Sequence, residues 1–93
     1  MARPSRSTWL VYMLRCADGT LYTGITKDLA RRCQQHNNGT ASRYTRSRRP
    51  VKLVYQEPQG SQSLALKREA AIKKLTRRQK LAMIRGATGK TFR

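Results

Sequence analysis

Trp9-Leu10-Val11-Tyr12-Met13-Leu14, then Arg15-Cys16-Ala17-Asp18-Gly19-Thr20, then Leu21-Tyr22-Thr23-Gly24-Ile25: two short apolar runs flank an Asp-Gly pair, and a basic segment continues to His36. Short apolar runs bounded by turn residues read as strands, and an Asp-Gly between them reads as a hairpin. Loop length then decides which side chains can act together. A two-residue type I′ loop at Asp18-Gly19 sets Arg15 opposite Tyr22, and period-2 alternation puts Tyr12 and Tyr22 on opposite faces. A three-residue loop, with Ala17 and Asp18 helical and Gly19 left-handed in a G1 bulge, pairs Cys16 with Thr20 and Leu14 with Tyr22. Both tyrosines then share a face, and this is the expected register.

Working outward, the segment from Asp28 to Asn37 reads as a helix. Thr26 or Asp28 is its N-cap, and Asn37-Asn38-Gly39 its stop signal. Leu29, Arg32, Cys33 and His36 recur at i, i+3, i+4 and i+7, so an arginine and a histidine lie one turn apart on the stripe facing the sheet, while Arg31, Gln34 and Gln35 point elsewhere. Two readings stay open: both side chains snorkel to water at the stripe's edge, or both serve a site.

From Thr40 to Pro50 a long basic loop holds Arg43, Arg46, Arg48 and Arg49 around Tyr44, a composition suited to phosphate contacts and base stacking. Val51 to Tyr55 reads as a third strand, stopped by Glu57-Pro58 and the Gln59-Gly60-Ser61 turn. A second helix runs from Ser63 to Leu75. Its inward stripe is Ala65, Glu69, Ile72 and Leu75, which puts the helix's one acid, Glu69, among apolar neighbours. The alternative role for Glu69 is an i,i+4 pair with Lys73. Thr76 with Gln79 is a capping-box signature and starts a third helix, expected to end at Gly86. Gly89-Lys90-Thr91 does not make a phosphate loop, because Ile84 occupies the place of the first glycine. The expected order is β-β-α-β-α-α, an α+β domain over residues 8–85 with a small, mainly antiparallel three-stranded sheet, flanked by flexible tails at 1–7 and 86–93.

Ninety-three residues allow one small core, and 21 Lys+Arg against 4 Asp+Glu give a formal charge of +17. Self-repulsion on that scale calls for a polyanionic partner, and nucleic acid fits best. No long apolar run suggests a membrane partner, no obligate protein partner is evident, and no signal sequence is recognised, so a cytoplasmic protein, associated with the nucleoid if it binds DNA, is expected. Cys16 and Cys33 with a lone histidine lack zinc-site spacing and read as small reduced hydrophobes in the core.

Val11-Tyr12-Met13, then Tyr22-Thr23-Gly24, then Arg32 ten residues after the second tyrosine, His36 four after that, and Glu69 on a later helix together resemble the GIY-YIG nuclease superfamily, also called the URI domain. The likeness is to its small stand-alone bacterial members and covers residues 8–85. It implies a three-stranded sheet flanked by helices and metal-dependent endonuclease activity on DNA, structure-selective and linked to repair or recombination. By resemblance, Glu69 holds one Mg2+ or Mn2+ ion, completed by waters and a phosphate oxygen, and Arg32 grips the scissile phosphate. Tyr12 is the candidate general base, with Tyr22 and His36 positioning water or moving protons. A tyrosine pKa near 10 suits that role only if Arg32 and the metal favour phenolate, whereas His36, with an ordinary pKa near 6.5, is the alternative base. Arg43, Tyr44, Arg46, Arg48, Arg49 and Lys73 are the candidate nucleic-acid contacts, with branched, flapped or single-stranded DNA favoured and RNA not separated from it.

The chain departs from the family pattern at Leu10-Val11, where Gly-Ile is usual, and at Ile84, where the pattern carries an asparagine. Two other functions therefore stay open. One is a catalytically silent nucleic-acid-binding module of the same fold. The other is a basic ribosome-associated structural protein, which leaves the spacing of Tyr12, Tyr22, Arg32 and Glu69 without a reason.

Overall fold

The computed structural model describes residues 8–91. The expected tail at 1–7 lies outside them. β1 (Trp9–Arg15) and β2 (Leu21–Thr26) form the hairpin, α1 is Leu29–Asn38, a single-turn α2 is Arg43–Arg46, and β3 is Lys52–Gln59. Two helices close the chain, α3 (Gln62–Lys73) and α4 (Arg77–Thr91). The sheet order is β2-β1-β3 with both pairings antiparallel. This is the expected α+β order, with α2 added inside the basic loop.

The hairpin adopts the three-residue loop. Leu14 pairs with Tyr22, the Cys16 amide donates to the Thr20 carbonyl at 2.9 Å, and Gly19 sits at φ 87°. That positive φ is cheap only for glycine. Asp18 completes the turn by accepting from the Thr20 amide and hydroxyl, at 3.1 and 2.6 Å.

Central β1 is buried on both faces, and its alternation divides the core. Val11 and Met13 pack with Ala65 and Ile72 of α3 and with Met83 and Ile84 of α4. Tyr12, Leu14 and Cys16 turn to the other side, against Val51, Leu53, Tyr22 and the Leu29 and Cys33 of α1. Cys16 is a core residue, whereas Cys33 is only half-buried; neither is in a disulfide.

Two element ends differ most from expectation, while α3 stops at Lys73, two residues short of the expected Leu75. Glu57-Pro58 does not stop the third strand, which continues to Gln59 with Pro58 opposite Leu10. β3 is an edge strand, and an edge tolerates a proline whose missing N–H faces the open side. The last helix passes through Gly86 and continues to Thr91, so the expected tail from residue 86 is helical to that point. A glycine costs a helix about 1 kcal/mol relative to alanine, and burial of Met83 and Ile84 against the sheet outweighs it.

Local signals hold elsewhere. Asp28 caps α1 through the Arg31 amide at 3.1 Å, and the Thr26 hydroxyl accepts from the Asp28 amide at 3.0 Å. Gly39, at φ 84°, ends the helix. Thr76 and Gln79 form the capping box, with reciprocal bonds of 2.9 and 3.1 Å.

Candidate active site

The hairpin register and the α1 stripe meet on the Tyr12 face of the sheet. Tyr12 is 1 % exposed, and its hydroxyl lies 2.8 Å from His36 Nε2. The Tyr12 and Tyr22 rings are 6.3 Å apart, and the His36 ring stands edge-on to both, at 5.8 and 5.0 Å. Tyr44, from α2, extends the cluster outward at 5.9 Å from Tyr22. An aromatic group thus runs from the buried core to the surface.

His36 is bound at both ring nitrogens. Its Nδ1 lies 2.8 Å from Thr45 Oγ1, and Thr45 is wholly buried. Sequence spacing did not reveal Thr45, because its contact depends on how the loop closes over α1. The signal available was Ser42, whose side chain caps α2 by accepting from the Tyr44 and Thr45 amides and so fixes the turn that carries Thr45.

Electrostatics favour the neutral pair. Burial pushes the Tyr12 hydroxyl well above the usual tyrosine range; neighbouring Tyr22 adds to this, and Arg32 pulls the other way. Burial, then the Arg32 charge, lowers the His36 pKa from 6.5. Arg32 does act as the phenolate reading requires, but burial outweighs it: desolvation penalises the charged form of each partner.

Arg32 is half-buried and lies one helical turn from His36. It also lines an open cleft of about 390 Å³ with Trp9, Lys27, Asp28, Arg31 and Gln35. Glu69 is partly buried on α3 and pairs with Lys73 at 3.2 Å, so the i,i+4 ion pair is realised. Its charge is the weakest of the influences felt at Tyr12. Among the described residues no group of three or more His, Cys, Asp or Glu is placed to hold a metal. A single carboxylate still suits Mg2+ or Mn2+, which keep several waters and use substrate phosphate as a ligand.

The basic loop divides into two sets. Arg43 and Arg46 are exposed. Arg48 stacks on Tyr44 with its guanidinium 4.0 Å from the ring centroid, donates to the Tyr44 carbonyl at 2.9 Å, and pairs with Asp18 at 3.1 Å. Arg49 donates to the Arg46 carbonyl at 2.9 Å and to that of Asn37 at 3.4 Å. These two arginines hold the loop to the hairpin turn and to α1. Asn37 adds a pair of bonds across the Val51 peptide, at 2.8 and 3.2 Å.

Gly24 has a role that only the packing reveals. A Cβ there would stand 2.6 Å from the Tyr12 hydroxyl oxygen and 2.8 Å from its Cζ, so glycine gives Tyr12 its place against β2. Ile84, at the position of the pattern's asparagine, packs on the opposite face of the sheet with Val11 and Met13. Also unforeseen is a cluster on β3 and α3: Glu57 accepts from Tyr55, from Gln59 at 2.6 Å, and from Arg68 at 2.7 and 3.2 Å.

The profile of the GIY-YIG catalytic domain matches residues 8–82. A UPF0213 protein of Desulfotalea psychrophila is 52% identical over 83 residues, covering 88% of this chain and 76% of that protein. One from Staphylococcus epidermidis is 57% identical over 74 residues, covering 80% and 90%. The solution structure of a UPF0213 protein from Bacillus halodurans superposes with a TM-score of 0.54 at 39% identity, over 83% of this chain and 82% of that one. A solution structure from E. faecalis gives 0.58 at 36% identity, over 86% of each chain. Chain order, sheet and sequence agree: the protein belongs to the GIY-YIG family, whose domain is that of a nuclease.

Proposed function

We propose that the protein is a divalent-metal-dependent endonuclease that hydrolyses DNA phosphodiester bonds, selects its substrate by structure, and serves repair or recombination. The observation that carries this reading is the buried Tyr12 hydroxyl, 2.8 Å from His36 Nε2, on the face of the sheet that Tyr22 shares and one helical turn of α1 from Arg32. Hydrolysis needs a proton acceptor for the attacking water, and Tyr12 with His36 supplies one once substrate binding admits that water to the buried hydroxyl: as Tyr12 takes the water's proton, its own passes to Nε2. Arg32 faces an open, basic cleft and binds the scissile phosphate's oxygens, where a guanidinium fork matches phosphate geometry. Tyr22 packs beside both members of the pair and orients the water. Glu69 would hold the Mg2+ or Mn2+ ion, which would supply neutralisation of charge on the phosphate and the departing oxygen. Doing so requires Lys73 to release the carboxylate, and Lys73 then joins Arg43 and Arg46 on the DNA backbone.

A specific observation keeps the silent binding module as the second reading: Ile84 is part of the apolar core, so no asparagine assists at that position. Cleavage of labelled single-stranded, duplex, flapped and branched DNA, with Mg2+ or Mn2+ against EDTA, separates the two. Metal-dependent cutting that is lost in Glu69→Gln and in Arg32→Ala, with DNA binding retained, supports the nuclease. Tight binding without cutting under any ion supports the binding module.

A further inference from the structure

We infer that Thr45 is a positioning residue: the Tyr12 hydroxyl needs Nε2 of His36 as its acceptor, which puts the imidazole proton on Nδ1, and Thr45 Oγ1 accepts that proton and holds the ring in place. The assignment follows from counting hydrogens among four buried or part-buried groups. Thr45 Oγ1 has one hydrogen and two neighbours that can take it, the Ser42 carbonyl at 3.3 Å and His36 Nδ1 at 2.8 Å. If the hydroxyl donates to Ser42, then Nδ1–H donates to Oγ1, and the Tyr12 hydroxyl donates to Nε2 at 2.8 Å. Every hydrogen then has an acceptor.

The opposite tautomer fails this count. With the proton on Nε2, His36 donates to the Tyr12 oxygen and Thr45 donates to Nδ1. In the free protein the Tyr12 hydrogen is then left without a protein acceptor, since His36 is its one hydrogen-bond partner among the described residues and Tyr12 is 1 % exposed. A buried hydroxyl hydrogen with no acceptor is costly, so the first arrangement holds. Only in that arrangement can the imidazole accept a proton from Tyr12. The loop's one-turn helix is thereby tied to the chemistry: Ser42 caps α2, α2 carries Thr45, and Thr45 orients the base.

The effect on cleavage rests on the nuclease reading; the tautomer does not. His36 is the chain's single histidine, so imidazole 15N resonances report on it without ambiguity. Long-range 1H–15N correlation distinguishes the nitrogens, because Nε2 couples to both ring carbon-bound protons and Nδ1 strongly to one. Wild type is expected to show a protonated Nδ1 and a bare Nε2. Thr45→Val, which keeps the shape but removes the acceptor, is expected to move the proton wholly or partly to Nε2, and Thr45→Ser to return it. Wild type with the proton on Nε2, or Thr45→Val with an unmoved Nδ1–H, overturns the inference. In parallel, Thr45→Val is expected to lower kcat by about 10²-fold with KM little changed, and Thr45→Ser to recover most of it. A wild type that cleaves nothing fails the nuclease reading while leaving the 15N result to decide Thr45. If Thr45→Val does not fold, the spectra of wild type and Thr45→Ser decide alone: Nδ1–H in both sustains the inference, and Nε2–H in either refutes it.

Discussion

Gly24→Ala adds one methyl group to a strand residue whose backbone does not sit at positive φ, so the change is not barred by conformation. The obstacle is Tyr12. The new Cβ would lie 2.6 Å from its hydroxyl oxygen, 2.8 Å from Cζ and 3.1 Å from Cε1. Ordinary contact begins near 3.5 Å, so the phenol tip must retreat by about 1 Å. It has little room to do so, because Tyr12 is buried, stands edge-on to His36 and pairs with it at 2.8 Å. Overpacking of this kind costs about 1–3 kcal/mol, and in a domain of this size 1 kcal/mol lowers Tm by roughly 4–8 °C. The same retreat pulls the hydroxyl from Nε2, and a misplacement of about 1 Å costs about 10²-fold in rate. Urea denaturation and single-turnover cleavage measure the two effects, and a cycle with Tyr12→Leu should show coupling of about 1 kcal/mol or more, since a shorter side chain leaves the methyl group space. Stability within ~0.5 kcal/mol of wild type, with cleavage intact and no coupling, would refute the close-approach account of Gly24.

The pH dependence carries a definite sign. His36 has its pKa lowered in the folded state, so below its ordinary value of 6.5 the unfolded chain takes up protons first and stability falls with pH from there downward. The acid limb of kcat/KM, which reports the free protein, should have its midpoint below 6.5; a midpoint above it would contradict a buried, neutral imidazole. Glu57 gives a second window. Burial opposes its ionisation, but hydrogen bonds from Arg68 and Tyr55 prevail and hold it below its ordinary 4.5, so its contribution is present above that pH and is lost as pH falls through the lower folded value. Glu57→Gln should therefore flatten the acid-unfolding curve below 4.5, and an unchanged curve would mean that the cluster does not stabilise the fold. Among the loop arginines, Arg43→Ala and Arg46→Ala should leave stability within ~0.5 kcal/mol and each lower the salt slope of DNA binding by about 1. Arg48→Ala should lower stability by thermal denaturation as well, because it frees Tyr44 and the hairpin turn; equal effects from all three would erase the division.

What was legible in the chain was what short-range chemistry decides. Asp18-Gly19 specifies a tight loop whose length fixes the Leu14–Tyr22 pairing, and that pairing alone puts the two tyrosines on one face. The i, i+3, i+4, i+7 recurrence then brings His36 to the same side, and Thr76 with Gln79 marks a helix start through bonds three residues apart. Misjudged ends had non-local causes. Pro58 reads as a stop until the topology places β3 at an edge, and Gly86 reads as a stop until Met83 and Ile84 are packed beneath it. The same limit applies to Thr45, Arg48 and the Glu57–Arg68 pair. Their partners His36, Asp18 and Arg68 lie 9, 30 and 11 residues away in the chain, beyond the reach of local patterns, and a count of cations does not say which guanidinium donors are already taken up by loop carbonyls.

The balance of forces at Tyr12 bears on how such a site works. A fixed phenolate base would need positive charge at the hydroxyl strong enough to overcome burial, and Arg32 alone does not supply it. Burial drives tyrosine and histidine in opposite directions, raising one pKa and lowering the other, and both movements stabilise the same neutral hydrogen-bonded pair. In the proposed reaction that pair need not ionise in advance: the hydroxyl can take the water's proton as it yields its own to Nε2, so the charge created is an imidazolium. The cost of that cation falls as the anionic phosphate enters beside Arg32, because the substrate's charge favours the very species the free protein disfavours. In the proposed reaction such a pair rests neutral in the free protein, and the charge of the entering substrate favours its imidazolium. Raising His36 toward full exposure should thus uncouple its protonation from DNA binding, whereas in the wild type bound DNA should lift the His36 pKa; an imidazole titration unmoved by a non-cleavable oligonucleotide would rule this coupling out.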